Sequence, residues 1–88
     1  MSDSGAFEVL YREYYPRVFA LCRRFLLANE RAEDAAQETF TRAYKAFGHY
    51  QPSRPFWHWI AAIAHRHCLD QLKQLGRWED IHVDSNAE

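Results

Sequence analysis

The chain has 88 residues and is 48% hydrophobic and 16% aromatic, which excludes an intrinsically disordered protein and suffices for one modest core. Eleven basic and twelve acidic residues give a net charge of −1 with the histidines neutral, so the chain is not uniformly basic as many nucleic-acid-binding proteins are. We expect one globular domain.

The sequence predicts a protein of the cytoplasm. No apolar run reaches the roughly 20 residues that cross a bilayer, and the first ten residues lack the basic start and apolar stretch of a signal peptide. Cys22 and Cys68 lie in apolar helical patterns without a CxxC spacing. This favours reduced, packed thiols, with a disulfide or a metal site as the alternatives.

The first predicted element is a helix from about residue 6 to 28. Apolar residues recur there at steps of three and four, the spacing of one helix face: Phe7, Leu10, Tyr11, Tyr14, Val18, Leu21, Cys22 and Phe25. Asp3 or Ser4 can serve as the N-cap. Pro16 interrupts the pattern, so either the helix kinks there or a short helix ends near Tyr14 and another begins at Pro16.

The second predicted helix runs from about residue 30 to 47, with Asn29 as its N-cap. Its inward face consists mainly of alanines, which let another helix approach closely: Ala32, Ala36, Phe40, Ala43 and Phe47. A polar stripe with spacing i, i+3, i+4 and i+7 lies elsewhere on the helix: Asp34, Gln37, Glu38 and Thr41. From the residues alone, the default interpretation of this stripe is a solvent-exposed helix face.

The third predicted helix starts at Pro55 and runs to about Leu75, with Gly76 as its C-terminal cap. The loop before it contains Gly48, Pro52 and Ser53. One broad face of the helix is apolar: Phe56, Trp59, Ile60, Ile63, Ala64, His67 and Cys68. On the opposite side, Arg66 is four residues before Asp70, a spacing that predicts a surface ion pair.

Positive charge is concentrated in this third segment. Residues 48 to 77 carry four basic residues against one acidic residue, whereas residues 78 to 88 carry four acidic residues and no basic one. The segment combines aromatic and basic side chains, which is typical of proteins that stack on single-stranded bases and follow phosphates. Candidate residues for such contacts are His49, Tyr50, Phe56 and Trp57, flanked by Arg54 and Arg66. Core packing is the favoured interpretation for Phe56 and Trp59 and an open alternative for Trp57.

Enzymatic and metal-binding functions find little support. The sequence lacks GxGxxG, a phosphate-binding loop, GxSxG and HExxH. The histidines at 58, 65 and 67 with Cys68 superficially resemble zinc ligands, but His65 and His67 point to nearly opposite sides of a helix. We predict no catalytic residue, no cofactor and no metal site.

Three stretches, in order, resemble the region 2 domain of bacterial sigma factors of the extracytoplasmic-function (ECF) group. The first conserved helix of that family is similar to FEVLYREYYPRVFALCRRFL, its polymerase-binding helix to AEDAAQETFTRAYKAF, and its promoter-melting helix to RPFWHWIAAIAHRHCLDQLK. The resemblance covers roughly residues 6 to 75. It implies an all-α, compact three- to four-helix bundle in the bacterial cytoplasm.

The resemblance also implies partners. In that family the second helix docks on the coiled coil of the β′ clamp of RNA polymerase core, which assigns Asp34, Gln37 and Glu38, with Thr41 on the same stripe, to polymerase binding. The loop before the third helix captures a base flipped from the minus-ten element, and the helix supports the unpaired non-template strand. The implied DNA-binding residues are His49, Tyr50, Gln51, Ser53, Arg54, Trp57, Arg66 and Lys73. An anti-sigma factor is a further partner of such domains.

The sequence departs from the family pattern in places. Arg66 stands where the family usually has Asn, and Lys73 and Gln74 stand where it usually has a basic pair. No stretch matches the C-terminal helix-turn-helix domain, region 4, of a complete factor. We therefore interpret residues 1–76 as region 2 and residues 77–88 as the flexible, acidic start of an interdomain linker, and expect a fragment of a longer factor.

Two other functions compete with this one. A helical adaptor that binds only protein would explain the polar stripe of the second helix, but it would leave the basic residues Arg54, Arg66 and Lys73 without a role. A duplex-binding helix-turn-helix protein needs a short turn before a polar recognition helix, whereas the third helix is largely apolar.

Overall fold

The computed structural model describes residues 2–76, which form three α-helices. In chain order these are α1 (Ser2–Phe25), α2 (Asn29–Ala46) and α3 (Phe56–Gln74), with a short 3-10 turn at Phe47–His49. Each helix packs against the other two, and residues 2–76 contain no strand, so the predicted all-α bundle is confirmed. Over the same residues, no helix is long and apolar enough to span a bilayer. The predicted linker, residues 77–88, lies outside the described residues.

Helix α1 continues through Pro16, so the alternative of two separate helices is wrong. Proline leaves the carbonyl four residues earlier without its helical partner. Pro16 and Arg12 are both exposed, and water can therefore satisfy that carbonyl. The helix also begins earlier than predicted, which places Asp3 and Ser4 inside it rather than at its cap, and it ends at Phe25.

Helix α2 begins one residue earlier than predicted, so Asn29 is its first residue and Ala28 occupies the N-cap position without a side-chain hydrogen bond. The Asn29 side chain instead accepts a hydrogen bond from the Arg23 guanidinium. The predicted inward face is confirmed, with Phe47 only half-buried. Two further buried residues were missed, Ala35 and Thr39. The Thr39 hydroxyl donates to the Ala35 carbonyl at 2.8 Å, which satisfies it inside the core.

Helix α3 begins at Phe56, one residue later than predicted, with Pro55 at the N-cap position, and it ends at Gln74. Gly76 has φ +84°, the left-handed conformation that follows many helices and that glycine adopts without strain. The predicted apolar face is confirmed: Phe56, Ile60, Ala64, His67 and Cys68 are buried, and Leu72 joins them. Trp59 and Ile63 are half-buried at its edges.

The three helices share one core whose centre consists of small side chains. Four fully or almost fully buried alanines of α2 let α1 and α3 approach closely. Cys22 of α1 and Cys68 of α3 are completely buried and free, as predicted. The two side chains interact across the interface between α1 and α3, and this contact, together with burial, raises the pKa of the Cys22 thiol. Because both sulfurs are fully buried, they act as core atoms rather than reactive groups.

Aromatic rings fill one end of the bundle. Phe7 of α1 makes edge contacts with Phe40 and Phe47, with centroids 6.2 and 5.3 Å apart. Phe56 of α3 lies 5.0 Å from Tyr14. Such pairs stabilise a core beyond the area they bury, by about 0.5–1.5 kcal/mol each. This aromatic end holds the loop between α2 and α3 in place.

Candidate functional site

The polar stripe of α2 lines an open groove between α2 and α3 with a volume of about 510 Å³. All four predicted polymerase-binding residues lie along it, and Ala35 lines it between them. Two residues from α3 complete the lining, His67 and Gln71. The structure thus brings one predicted set of residues together and adds two that sequence analysis did not assign to it.

The groove is acidic at its α2 side. Asp34 makes no ion pair or hydrogen bond with another described side chain, whereas Glu38 accepts from Arg42 Nε at 3.0 Å. Both members of that pair are 44% exposed, so the pair contributes little to stability. Gln37 donates to the Tyr11 hydroxyl at 3.2 Å and thereby links α2 to α1.

His67 is the unusual residue of the groove. It is only 7% exposed, and its Nδ1 atom is buried without a hydrogen-bond partner among the described residues. Burial lowers the pKa of His67, and the positive charge of Arg42 lowers it further, while Glu38 and Asp70 act in the opposite direction. The ring is therefore neutral at physiological pH. A polar residue on an otherwise apolar helix face was the sequence signal that could have identified it.

The groove continues past His67 toward the end of α3. This second part, of about 290 Å³, is also lined by His67 and Gln71, and it adds Arg42, Asp70, Lys73 and Gln74. Lys73 was predicted to bind DNA, yet it lies beside Arg42 of α2 rather than beside the loop. Its predicted contact with DNA stays a prediction.

The loop before α3 exposes most of the residues predicted to capture a base. His49, Gln51, Ser53 and Arg54 are exposed, whereas Tyr50 is half-buried. The Tyr50 ring stacks on Phe47 with centroids 5.9 Å apart and lies 4.9 Å from Trp59, and its hydroxyl donates to the Arg54 carbonyl. Tyr50 therefore anchors the loop to the aromatic end of the bundle.

Trp57 is half-buried at the edge where α3 meets α1. Its ring lies parallel to that of Tyr14, with centroids 6.3 Å apart and an interplanar angle of 13°. The guanidinium carbon of Arg17 lies 4.1 Å from the Trp57 ring centroid. Sequence analysis missed Arg17, although its spacing of three from Tyr14 places both on one side of α1.

Arg66 is exposed on α3, as predicted, but its predicted ion pair with Asp70 is wrong. Among the side chains that the structure describes, the ion pairs are Arg12 with Glu8 and Arg42 with Glu38. In both of these pairs the acidic residue precedes the basic one, whereas Arg66 precedes Asp70, which is the less favourable order at i, i+4. Arg66 is thus free to reach another partner.

The remaining histidines of α3 do not form a metal site with His67. His65 is exposed and contacts the edge of Phe25 on α1, with ring centroids 5.2 Å apart. His67 faces the groove with α2. Over residues 2–76, no group of three or more His, Cys, Asp or Glu side chains is arranged to hold a metal ion.

Comparison with known proteins identifies one family. A family model described as Sigma-70 region 2 matches residues 10–78. The chain is 33% identical over 75 residues to the RNA polymerase sigma-H factor of Pseudomonas aeruginosa, which covers 85% of this chain and 39% of that protein. It is 33% identical over 85 residues to the ECF RNA polymerase sigma factor SigW of Bacillus subtilis, covering 97% of this chain and 44% of that protein.

A third relative extends the same pattern. The ECF RNA polymerase sigma factor SigE of Mycolicibacterium smegmatis is 33% identical over 72 residues, which cover 82% of this chain and 28% of that protein. The chain thus spans less than half the length of these curated relatives. No solved structure matches it significantly.

Proposed function

The chain belongs to the sigma-70 family as a region 2 domain of the ECF group, and we propose that it docks on RNA polymerase core and captures unpaired bases of the promoter minus-ten element. The polymerase contact is made by the groove side of α2, on the β′ clamp coiled coil. The DNA contact is made by the loop before α3 and by the exposed side of α3. The protein acts in transcription initiation in the bacterial cytoplasm and has no catalytic role of its own.

The observation that carries this proposal is the separation of the two candidate surfaces on α3. The groove lies where α3 meets α2, at His67 and Gln71. Trp57 lies where α3 meets α1. Because the two surfaces use different sides of one helix, polymerase and an unpaired strand can be bound at the same time.

The charges of the two surfaces also differ. The carboxylates of Asp34 and Glu38 are one helical turn apart on α2 and suit a basic partner. The loop and α3 present Arg54 and Arg66, both exposed, which suit phosphates. An adaptor that binds only protein would not need the exposed Arg54 and Arg66.

Charge reversal in the groove tests polymerase docking. Binding of the fluorescently labelled chain to RNA polymerase core is measured by anisotropy for the wild type and for an Asp34→Lys/Glu38→Lys double variant. We expect binding to collapse, because juxtaposed like charges cost several kcal/mol. A matched control, Glu13→Lys/Glu33→Lys, makes the same charge change at exposed positions outside the groove and should bind normally. Equal affinities of all three proteins, with intact circular dichroism, would remove the docking assignment.

A further inference from the structure

One residue that lines the groove has a buried polar atom that the fold itself does not satisfy. Among the buried side-chain nitrogen and oxygen atoms of residues 2–76, His67 Nδ1 has no hydrogen-bond partner, whereas the buried hydroxyl of Thr39 has one at 2.8 Å. Buried polar groups are almost always paired, so an exception calls for a role. His67 is 7% exposed, and its ring lines the groove.

The groups around this histidine favour a cationic donor at the Asp34 side of the groove. Arg42 already pairs with Glu38 at 3.0 Å, so an incoming cation shares that carboxylate, whereas Asp34 has no ion-pair partner among the described side chains. The carboxylates of Asp34 and Glu38 lie along the same groove, with the Thr41 hydroxyl and the Gln71 amide between the two helices. The neutral imidazole offers an acceptor nitrogen. A half-turn of the ring about its Cβ–Cγ bond exchanges Nδ1 with Cδ2 and Nε2 with Cε1, so either edge of the ring presents one nitrogen. A phosphate would instead meet two carboxylates, which disfavours nucleic acid as the occupant.

We propose that this groove receives an arginine side chain of RNA polymerase core, with its guanidinium held by the carboxylates of Asp34 and Glu38 and by a ring nitrogen of His67. This inference rests on the proposed docking of α2 and extends the docking surface to α3. Arginine fits better than lysine because a guanidinium presents five N–H donors in a planar fan and can reach several separate acceptors. His67 and Gln71 are then binding residues contributed by the helix that also contacts DNA.

The histidine variant separates a binding role from a structural role. His67→Phe keeps a ring of similar size and removes the unsatisfied nitrogen, so the fold should be at least as stable as that of the wild type. A residue that only fills the core would leave polymerase affinity unchanged. On our proposal, affinity for core falls about tenfold to a hundredfold, the usual effect of losing a hydrogen bond to a charged group.

The experiment measures binding of four forms of the 88-residue chain to RNA polymerase core by anisotropy: wild type, His67→Phe, Gln71→Leu and His58→Phe. Gln71→Leu removes the second α3 group and should weaken binding about threefold. His58→Phe is the matched control, because His58 is an exposed residue of α3 outside the groove, and it should bind like the wild type. Circular dichroism verifies folding, and Gln71→Leu keeps the test valid should His67→Phe fold poorly.

The outcomes distinguish this inference from the proposed function. Normal affinity of both groove variants, alongside lost binding of Asp34→Lys/Glu38→Lys, overturns the role of His67 and Gln71 and leaves docking through α2 intact. Normal affinity of the charge-reversal variant overturns both. Size-exclusion chromatography supplies one more outcome: self-association of the wild type that His67→Phe abolishes would make a second copy of the chain the occupant, against our proposal.

Discussion

Arg17 of α1 covers the ring of Trp57 of α3, with its guanidinium carbon 4.1 Å from the ring centroid. Tyr14 lies parallel to the same tryptophan and 5.7 Å from the Arg17 guanidinium carbon. The three side chains connect the two helices at the edge of the proposed DNA surface. Trp57 therefore has a packing partner on the face that Arg17 covers, and a base can stack there only if the arginine moves away.

Removing this contact should weaken the fold slightly. Arg17→Gln abolishes the cation–π interaction, which at an exposed site contributes about 0.5–1 kcal/mol. We expect a loss of that size in the free energy of unfolding, measured by urea titration with circular dichroism. Arg31→Gln serves as the control, because Arg31 is exposed and makes no ring contact among the described residues. Equal stabilities of the two variants would show that the Arg17 contact contributes nothing.

The stability of the fold should depend on pH through His67. Its pKa is lowered in the folded state from an ordinary value of 6.5, mainly by burial and then by Arg42, against Glu38 and Asp70. The unfolded chain therefore binds a proton more readily than the folded chain. The contribution of the neutral ring is complete above pH 6.5 and is lost as the pH falls from there through the lowered pKa of the folded state.

The measurement compares urea unfolding of the wild type and His67→Phe across that range. The stability of the wild type relative to the variant should decrease as the pH falls below about 6.5. A constant difference between the two proteins would contradict the lowered pKa. If the wild type instead gained stability relative to the variant toward acid pH, the pKa of His67 would be raised by folding, and the folded state would bind the proton more tightly.

Local features of the sequence predicted the helices and their buried faces well. The step of three and four residues that predicted the inward faces of α2 and α3 depends only on helix geometry, and Gly76 was identified because few other residues adopt positive φ. The prediction of Asn29 as the N-cap was wrong by one residue, and its side chain instead accepts a hydrogen bond from Arg23 of α1. That hydrogen bond depends on the loop geometry between two helices, which spacing does not encode.

The candidate site was predictable only within single helices. The stripe from Asp34 to Thr41 lies on one helix and could be read from spacing, whereas the groove requires α3 to pass beside it. Arg17 contacts Trp57 on another helix, and the groups that act on the pKa of His67 include two from α2. The ion pair predicted for Arg66 had the right spacing but the less favourable order, because the basic residue precedes the acidic one.

The two thiols should resist labelling in the native state. Cys22 and Cys68 are fully buried, so a disulfide reagent reaches them only when the fold opens. We expect slow release of thionitrobenzoate from the native chain and immediate release in urea. A Ser53→Cys variant, with its thiol in the exposed loop, should react at once. Prompt reaction of the native wild type would contradict the packed pair.

Gly76 should tolerate substitution less well than Gly48. A side chain at either position would meet no atom within 4 Å, so steric fit is equal and only the backbone differs. Gly76 has φ +84°, which costs a residue with a Cβ atom about 1–2 kcal/mol. Gly76→Ala should therefore lower the free energy of unfolding by about 1 kcal/mol, whereas Gly48→Ala should leave it unchanged or raise it slightly. Thermal unfolding of both variants tests this.

The last prediction concerns Arg66, which stands where the family usually has Asn. It is exposed, and among the described residues it is not held by Asp70. A long, permanently charged side chain that is free at the surface suits a phosphate better than one base edge. Arg66→Asn should therefore weaken binding of single-stranded non-template oligonucleotides equally for all sequences. The slope of the logarithm of the binding constant against the logarithm of the salt concentration should also become shallower by about 0.7, the value of one phosphate contact on a single strand.

The oligonucleotides, varied one base at a time, are bound to RNA polymerase core carrying the wild-type chain, Arg66→Asn, or a loop in which residues 49 to 53 are replaced by Gly and Ser. Arg31→Asn, on α2, is the charge-matched control. A change in which base is preferred, of about 1–3 kcal/mol, would assign Arg66 to a base edge instead. Loop replacement should abolish discrimination at the captured base, because stacking and edge hydrogen bonds there must offset the few kcal/mol that flipping a base costs. If neither the loop replacement nor Arg66→Asn alters binding, the flipped-base pocket does not lie in this loop, and α2 docking alone remains.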